Sequence, residues 1–316
     1  MQISKLTFLA LFSVSTLVGC KKDLNPVDPV ENQTPALVKT IIRPDIEAIK
    51  RNSRTPTGAL DKIVTEVEGE QFANHMPGTR QYLYDNAGRN IGFADQLSPK
   101  NSTPGFCDVV YEYKDDKLFR MYFTVRGEGY WGELEPNLIM REFAYDKSDR
   151  IVKAYVYYVD RNDVATLGEG DAHSLKYDNE GRLIELSTTG VVSQKTVYKY
   201  TGNNLESAFF TFSQSPGNVS AEYSYEYKYD NTENGLKNLP EIPKLFHPGP
   251  SFFDQLFGDN NLVSLKVTSK YYPTTTSGSQ MNIEYSTKFD GAGRVIEKTE
   301  DFKDNTPLVK KLYYYK

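Results

Sequence analysis

Leu175-Lys176-Tyr177-Asp178-Asn179-Glu180-Gly181-Arg182-Leu183 reads as a chain reversal. The Asp178 carboxylate is placed to accept a bond from a backbone N–H two residues on, which starts a turn. Gly181 supplies the left-handed backbone that closes a type I turn with a bulge. This spacing sets Tyr177 opposite Leu183 on neighbouring antiparallel strands. Aromatic–aliphatic pairs of that kind each contribute roughly 0.2–1 kcal/mol.

The same unit recurs along the chain. Tyr82-Leu83-Tyr84-Asp85-Asn86-Ala87-Gly88-Arg89 is one copy, and Thr287-Lys288-Phe289-Asp290-Gly291-Ala292-Gly293-Arg294-Val295 is another. In Phe143-Ala144-Tyr145-Asp146-Lys147-Ser148-Asp149-Arg150-Ile151, Asp149 stands where the others carry Gly; Asp tolerates the left-handed conformation better than most residues. These copies predict Tyr145 facing Ile151 and Phe289 facing Val295. The residues assigned to turn-making are Asp85, Gly88, Arg89, Asp146, Arg150, Asp178, Gly181, Arg182, Asp290, Gly293 and Arg294.

Shortened copies at Tyr111–Leu118 and Tyr198–Leu205 fit two-residue loops, Gly202-Asn203 most clearly. Tyr225-Glu226-Tyr227-Lys228-Tyr229-Asp230 starts one more copy. Its strict alternation puts the three tyrosines on one face, predicted to be the core side. Seven hairpin starts imply an all-β antiparallel meander of about 14–16 strands. Open sheets rarely exceed about ten strands, so the meander is expected to curl or close into a barrel-like sheet. One stretch interrupts it, 234–261, with four prolines and then Ser251-Phe252-Phe253-Asp254-Gln255-Leu256-Phe257-Gly258. Ser251 and Gly258 suit the two ends of a short helical insertion, read as a plug or a lid.

These units resemble the YD repeat of Rhs-type and teneurin-type proteins over most of 81–316. The resemblance implies hairpins that wind into a β shell. The whole arrangement also resembles a Gram-negative surface lipoprotein family of unknown function with a porin-like meandering sheet. Tyr227 to Asp230, Asn238, Pro240 and Gly258 to Val263 add to that likeness. It implies no catalytic residue.

The amino terminus reads as an address. Lys5 precedes the apolar run Leu6–Val18, about a dozen residues and too short to span a bilayer comfortably. Leu17-Val18-Gly19-Cys20 resembles the bacterial lipobox, which implies lipid attachment at Cys20 and residues 1–19 as a cleaved signal peptide. Lys21-Lys22-Asp23 resembles the tether of outer-membrane lipoproteins, with exposure at the cell surface as a further expectation. Prolines 26, 29, 35, 44 and 56 argue for a tether over 20–57, with a turn or two of helix from Asp45 to Arg51 capped by Asp45. Residues 58–316 are then one all-β domain.

Composition narrows the function classes. Net charge is −5, and −6 once Lys5 and the rest of the first nineteen residues are set aside. Nucleic acid, which needs clustered basic surface, is not expected as a partner. There are 23 Tyr, 17 Phe and a single Trp, and tyrosine suits wide sheets with partly wet faces. Cys107 is expected to be a buried, inert thiol. His75, His173 and His247 are isolated, so no zinc site is expected. Asp178-Asn179-Glu180-Gly181 lacks the spaced ligands of a calcium loop. No phosphate loop and no GxSxG elbow is present, so neither a catalytic residue nor a cofactor is assigned.

The most unusual local stretch is Gly127-Glu128-Gly129-Tyr130-Trp131-Gly132-Glu133. Tyr130 and Trp131 make a ring platform suited to a glycan, with a core-filling Trp as the plain alternative. The leading expectation is a non-enzymatic outer-membrane or cell-surface lipoprotein. It would bind a glycan, peptide or envelope protein through its sheet face or Tyr130–Trp131. An apolar-ligand carrier beneath a Phe252–Phe257 lid is the second reading. A glycan hydrolase using Glu128 or Glu133 is the third, on the ground that such chemistry needs a carboxyl pair across a cleft.

Overall fold

The computed structural model describes residues 35–68, 78–97, 105–126, 138–189, 193–215, 218–236, 258–272, 278–303 and 308–316. All belong to one compact unit, Thr34–Lys316.

The short strand β1 (Val38–Thr40) and the single described helix α1 (Ile46–Asn52) come first. Asp45 caps α1, its carboxylate accepting from the Ala48 N–H at 2.9 Å. Then come β2 (Leu60–Glu68), β3 (Gly78–Tyr84), β4 (Asn90–Leu97), β5 (Gly105–Lys114), β6 (Lys117–Arg126), β7 (Leu138–Tyr145), β8 (Ile151–Val159) and β9 (Val164–Tyr177). The second half runs β10 (Leu183–Thr189), β11 (Ser193–Thr201), β12 (Asn204–Ser215), β13 (Asn218–Glu233), β14 (Asn260–Tyr271), β15 (Ser279–Phe289), β16 (Val295–Phe302) and β17 (Leu308–Tyr315).

Each strand from β2 to β17 pairs antiparallel with the next. β17 returns to β2 with Tyr313 opposite Ile63 and Val309 opposite Val67, which closes a sixteen-strand barrel. The expected cross-strand pairs are present: Tyr177 with Leu183, Tyr145 with Ile151 and Phe289 with Val295. Asp149 has φ +60°, and the glycines of the other full copies, 88, 181 and 293, are also left-handed. Asp115 and Asp116, both left-handed, form the two-residue loop of β5–β6. The helix expected near Ser251–Gly258 lies almost wholly outside the described residues.

The repeat turns gather at one end of the barrel, called the turn end. At the opposite, far end one described turn repeats the same chemistry: Asp160 accepts from the Asn162 and Val164 N–H groups, and Asp163 is left-handed. The sequence reading missed that copy.

One side-chain face of all sixteen strands contributes to a single apolar cluster, so that face points inward. Tyr225 and Tyr227 lie in it with Tyr229 packed against it, as the alternation predicts. Tyr82, Met121, Leu205, Leu265 and Val295 are fully buried there, and so is Leu236 from the start of the 234–261 insertion. A void large enough for water would leave accessible area on the side chains lining it. No water-sized void therefore touches these side chains.

Residues 38–56, expected as tether, are laid along the outside of the wall. Val38–Thr40 pairs with the Val164–Thr166 edge of β9, which β10 does not reach. β9 frees that edge by bending, for Leu167 to Ala172 spans what Tyr157 to Tyr155 spans on β8. Lys39 crosses the Tyr157 ring at 3.9 Å and donates to Glu142 at 2.7 Å. Ile41 joins Tyr122, Leu138, Met140, Tyr157, Val159 and Ala165 in a second buried cluster on the outward face of β6–β9. Lys50 of α1 reaches Asp108 of β5 at 3.2 Å.

Candidate functional site

The repeat residues first build a lock around the turn end. Asp178 Oδ1 accepts from the N–H groups of Glu180 and Arg182, both at 2.9 Å, and its Oδ2 accepts from Arg182 Nε at 2.7 Å. Burial alone would raise this carboxyl; the Arg182 N–H, its guanidinium and the Glu180 N–H together hold it below the usual range. Asp85, Asp146 and Asp290 repeat the arrangement with Arg89, Arg150 and Arg294. Each arginine then leans over a tyrosine of the next hairpin: Arg89 over Tyr113 at 4.3 Å, Arg150 over Tyr177 at 5.1 Å and Arg182 over Tyr200 at 5.2 Å. Those tyrosines donate backwards, Tyr113 to the Asn90 carbonyl, Tyr177 to Ile151 and Tyr200 to Leu183. The arginines were assigned to the turns from sequence, but their stacking on the next hairpin's tyrosine and the hydroxyl bonds were not, although the regular spacing was the available signal. The arrangement is structural: the carboxylates are spent inside their own turns, and the arginine faces and tyrosine hydroxyls on the neighbouring hairpin.

Charged groups also lie inside. Arg80 and Asp95 form a two-point pair at 2.8 and 2.9 Å, with the guanidinium 4.0 Å above Phe93. Half-buried Arg141 lies over Phe123, and loss of water around its guanidinium lowers it to about 10; burial and Arg141 together push His173 down to about 3. Nearer the turn end Lys298 is 1% exposed. Its amine sits 5.0 Å from the Tyr285 ring centre, in the field of Glu300, Lys311 and Asp230. Burial pulls it down to about 7, against the attraction of Glu300 and Asp230. Lys311 pairs with Glu300, and Asn261 links Asp230 to Thr287. Lys298 and Glu300 are buried, whereas the Arg80 and Asp95 side chains stay 25% and 16% exposed inside the wall.

A concave feature occurs at the far end. A cleft of about 510 Å³ lies against the ends of β14 and β15, lined by Thr268, Lys270, Tyr272, Gln280 and the Gly278-Ser279 corner. The Ser269 and Ser279 hydroxyls meet at 2.8 Å on its floor. Tyr272 is 37% exposed, and its hydroxyl donates to Glu222 at 2.9 Å. Beside it Tyr271 is 40% exposed and set edge-on to Tyr223, with ring centres 6.0 Å apart. The cleft thus offers a partly exposed ring held at its polar edge, an ammonium, an amide and hydroxyls. That is the chemistry for stacking on a ring and bonding its hydroxyls, with no activated nucleophile. The sequence reading did not single out these residues, since Tyr271-Tyr272 looks like any other strand end.

The platform residues Tyr130 and Trp131, Glu128, Glu133, the Cys20 anchor and the Phe252–Phe257 lid all lie outside the described residues. So does the Cys107 side chain. The described parts of β6 and β7 end at Arg126 and begin at Leu138, both at the far end. Among the described residues no group of three or more His, Cys, Asp or Glu is placed to hold a metal ion. No described helix is long and apolar enough to cross a membrane.

The outer wall carries charge at mid-strand. Glu185 is flanked by Lys176 and Lys195, Glu297 by Lys288 and Lys310, and Glu284 pairs with Lys303. A membrane-spanning barrel instead presents an apolar outward band about 25 Å tall. This barrel differs, with its large apolar cluster on the inward face and charge pairs along the outer wall.

The chain is therefore an all-β antiparallel meander closed into a sixteen-strand barrel with one short helix. No protein-family model matches it, and no curated protein does. Among solved structures it is similar to a porin-like protein from Bacteroides uniformis at 14% identity and a TM-score of 0.47, covering 84% of this chain and all of that one. A porin-like protein from Bacteroides vulgatus is similar at 11% identity and 0.40, covering 81% and 98%. The Photorhabdus luminescens Tc holotoxin pore is similar at 12% and 0.26, over 70% of this chain and 12% of that chain. Likeness at these levels supplies no argument about function.

Proposed function

We propose that this chain is a non-catalytic binding module, tethered to the outer membrane through lipid on Cys20, which presents its far end to a glycan or envelope partner. The observation that carries the reading is a barrel with its large apolar cluster inward and charge pairs along its outer wall. A charged outer wall suits water, and the full burial of Tyr82, Met121 and Leu265 inside it favours the loops and the far-end cleft as the recognition surface. The packed core also argues against a carrier whose ligand would occupy the level of Tyr82, Met121 and Leu265. The tether reading rests on the lipobox, and the glycan reading on the ring-and-hydroxyl chemistry at Tyr272 together with Tyr130 and Trp131.

A glycan array and an envelope-protein capture with the mature chain test this directly. Binding should fall at least about tenfold in Tyr272→Ala or Trp131→Ala, in keeping with loss of a buried aromatic anchor. Unchanged binding in both variants rejects the far end as the recognition surface. A mature chain whose mass shows no acyl group rejects the anchor.

A further inference from the structure

We infer that the segment 37–54 is a membrane-docking surface, which lays one wall of the barrel against an anionic phospholipid bilayer. Within six residues this segment exposes three large apolar side chains, Leu37 at 71%, Val38 at 59% and Ile42 at 93%. Soluble surfaces carry such side chains singly; here they cluster on one short strand and its exit. The segment is not loose. It is fastened to the wall by pairing with β9, by Lys39 on Glu142, by Arg43 on Asp163 at 2.8 Å and by Lys50 on Asp108. Fold-internal burial is therefore not what these three residues serve. They face away from the barrel while Ile41 between them faces in.

The charges next to them agree. Lys39, Arg43 and Lys50 are compensated by carboxylates of the fold. The segment's own exposed carboxylates are engaged, Asp45 in capping α1 and Glu47 with Lys50, while Arg51 and Arg54 are exposed and neither meets a carboxylate among the described residues. A cation close to an anionic leaflet contributes about 1 kcal/mol, and apolar side chains entering the headgroup boundary add to that. Both features sit in the described segment nearest the anchor in sequence, for Leu37 follows Cys20 by seventeen residues (37 − 20). A tether of that length spans up to about 60 Å when extended, so lipid alone would let the barrel stand well away from the bilayer. Docking through 37–54 would instead fix one wall on the surface and set the barrel's orientation. The inference rests on the anchor proposed above.

The test uses the acylated mature chain with Cys107→Ser as background and an environment-sensitive fluorophore at Thr40→Cys. A second preparation carries the label at Lys266→Cys on β14, across the barrel. Both are reconstituted in phosphatidylcholine vesicles with and without phosphatidylglycerol. The label at 40 should shift to the blue and be quenched by nitroxide lipids, more strongly with phosphatidylglycerol, while the label at 266 stays in water. Leu37→Ser with Ile42→Ser should return the label at 40 to water. Arg51→Glu with Arg54→Glu should weaken docking about tenfold or more and remove the phosphatidylglycerol dependence. An acylated chain whose labels at 40 and 266 are equally wet overturns the docking and leaves the anchor standing. A chain whose mass shows no acyl group overturns both.

Discussion

At the scale of single residues, Lys298 is the most consequential. It is buried amid Tyr285, Glu300, Lys311 and Asp230, and burial lowers it to about 7. In the unfolded chain the same amine titrates near 10.4. Between about 7 and 10.4 the unfolded chain holds a proton that the folded chain has given up. The stability contribution of Lys298 therefore rises with pH across that window, and below it the full penalty of burying a cation applies. Lys298→Met should stabilise the fold by a few kcal/mol at pH 6, and the gain should shrink towards pH 10. Thermal unfolding at the two pH values checks this; an equal or negative change at pH 6 would contradict it. Neighbouring residues show how much was legible. Asp178 and Gly181 could be assigned from the chain because turn bonds act over two to four residues. The Tyr177 hydroxyl bond to Ile151 and the stacking of Arg182 on Tyr200 could not, because those partners sit on different hairpins. Lys298 gave no signal, since one lysine in an alternating strand can face either way.

At the scale of elements, register depends on close backbone approach as much as on side chains. Gly92 in β4 has φ +139°, and a Cβ there would come 2.0 Å from the Val109 carbonyl oxygen of β5. Both facts forbid a side chain, so β4 and β5 can lie this close only with glycine. Gly92→Ala should cost several kcal/mol or prevent folding, whereas Gly181→Ala, with open space at its Cβ, should cost only about 1 kcal/mol of backbone strain. Denaturant midpoints of the two variants decide the matter, and a Gly92→Ala midpoint at or above that of Gly181→Ala would be the contrary result. Helix α1 was readable because Asp45 caps it locally. That 38–56 belongs to the wall rather than to a free tether was not readable, because the prolines that break regular structure say nothing about docking. The free edge it covers arises from the bend in β9, and the Gly168-Glu169-Gly170-Asp171 stretch was the available hint.

At the scale of the whole molecule, the ring depends on its last strand. β17 joins β16 to β2, and Lys316 closes the seam through its bonds with Gly58 and Ala59. Deleting 308–316 would open long edges on β2 and β16 and uncover Ile63, Phe302 and their neighbours. Unpaired edges of that length template intermolecular pairing. The truncated chain is expected to aggregate rather than populate a fifteen-strand monomer, as light scattering and size-exclusion chromatography would show. A soluble monomer with native near-ultraviolet circular dichroism would mean that closure contributes little.

From the chain by itself came the hairpins, their pairing across each turn, the inward face and the approximate strand number. All of these follow from interactions between residues close in sequence and from the two-residue period of a strand. Whether the meander closes, what fills it, which strand edge is left for residues 38–40, and which rings and cations stay outside were settled only by tertiary structure. Those outcomes depend on contacts between residues a hundred or more positions apart, such as Lys39 with Glu142 and Ile63 with Tyr313. No local pattern encodes such a meeting; it exists only once every hairpin has taken its place in the ring.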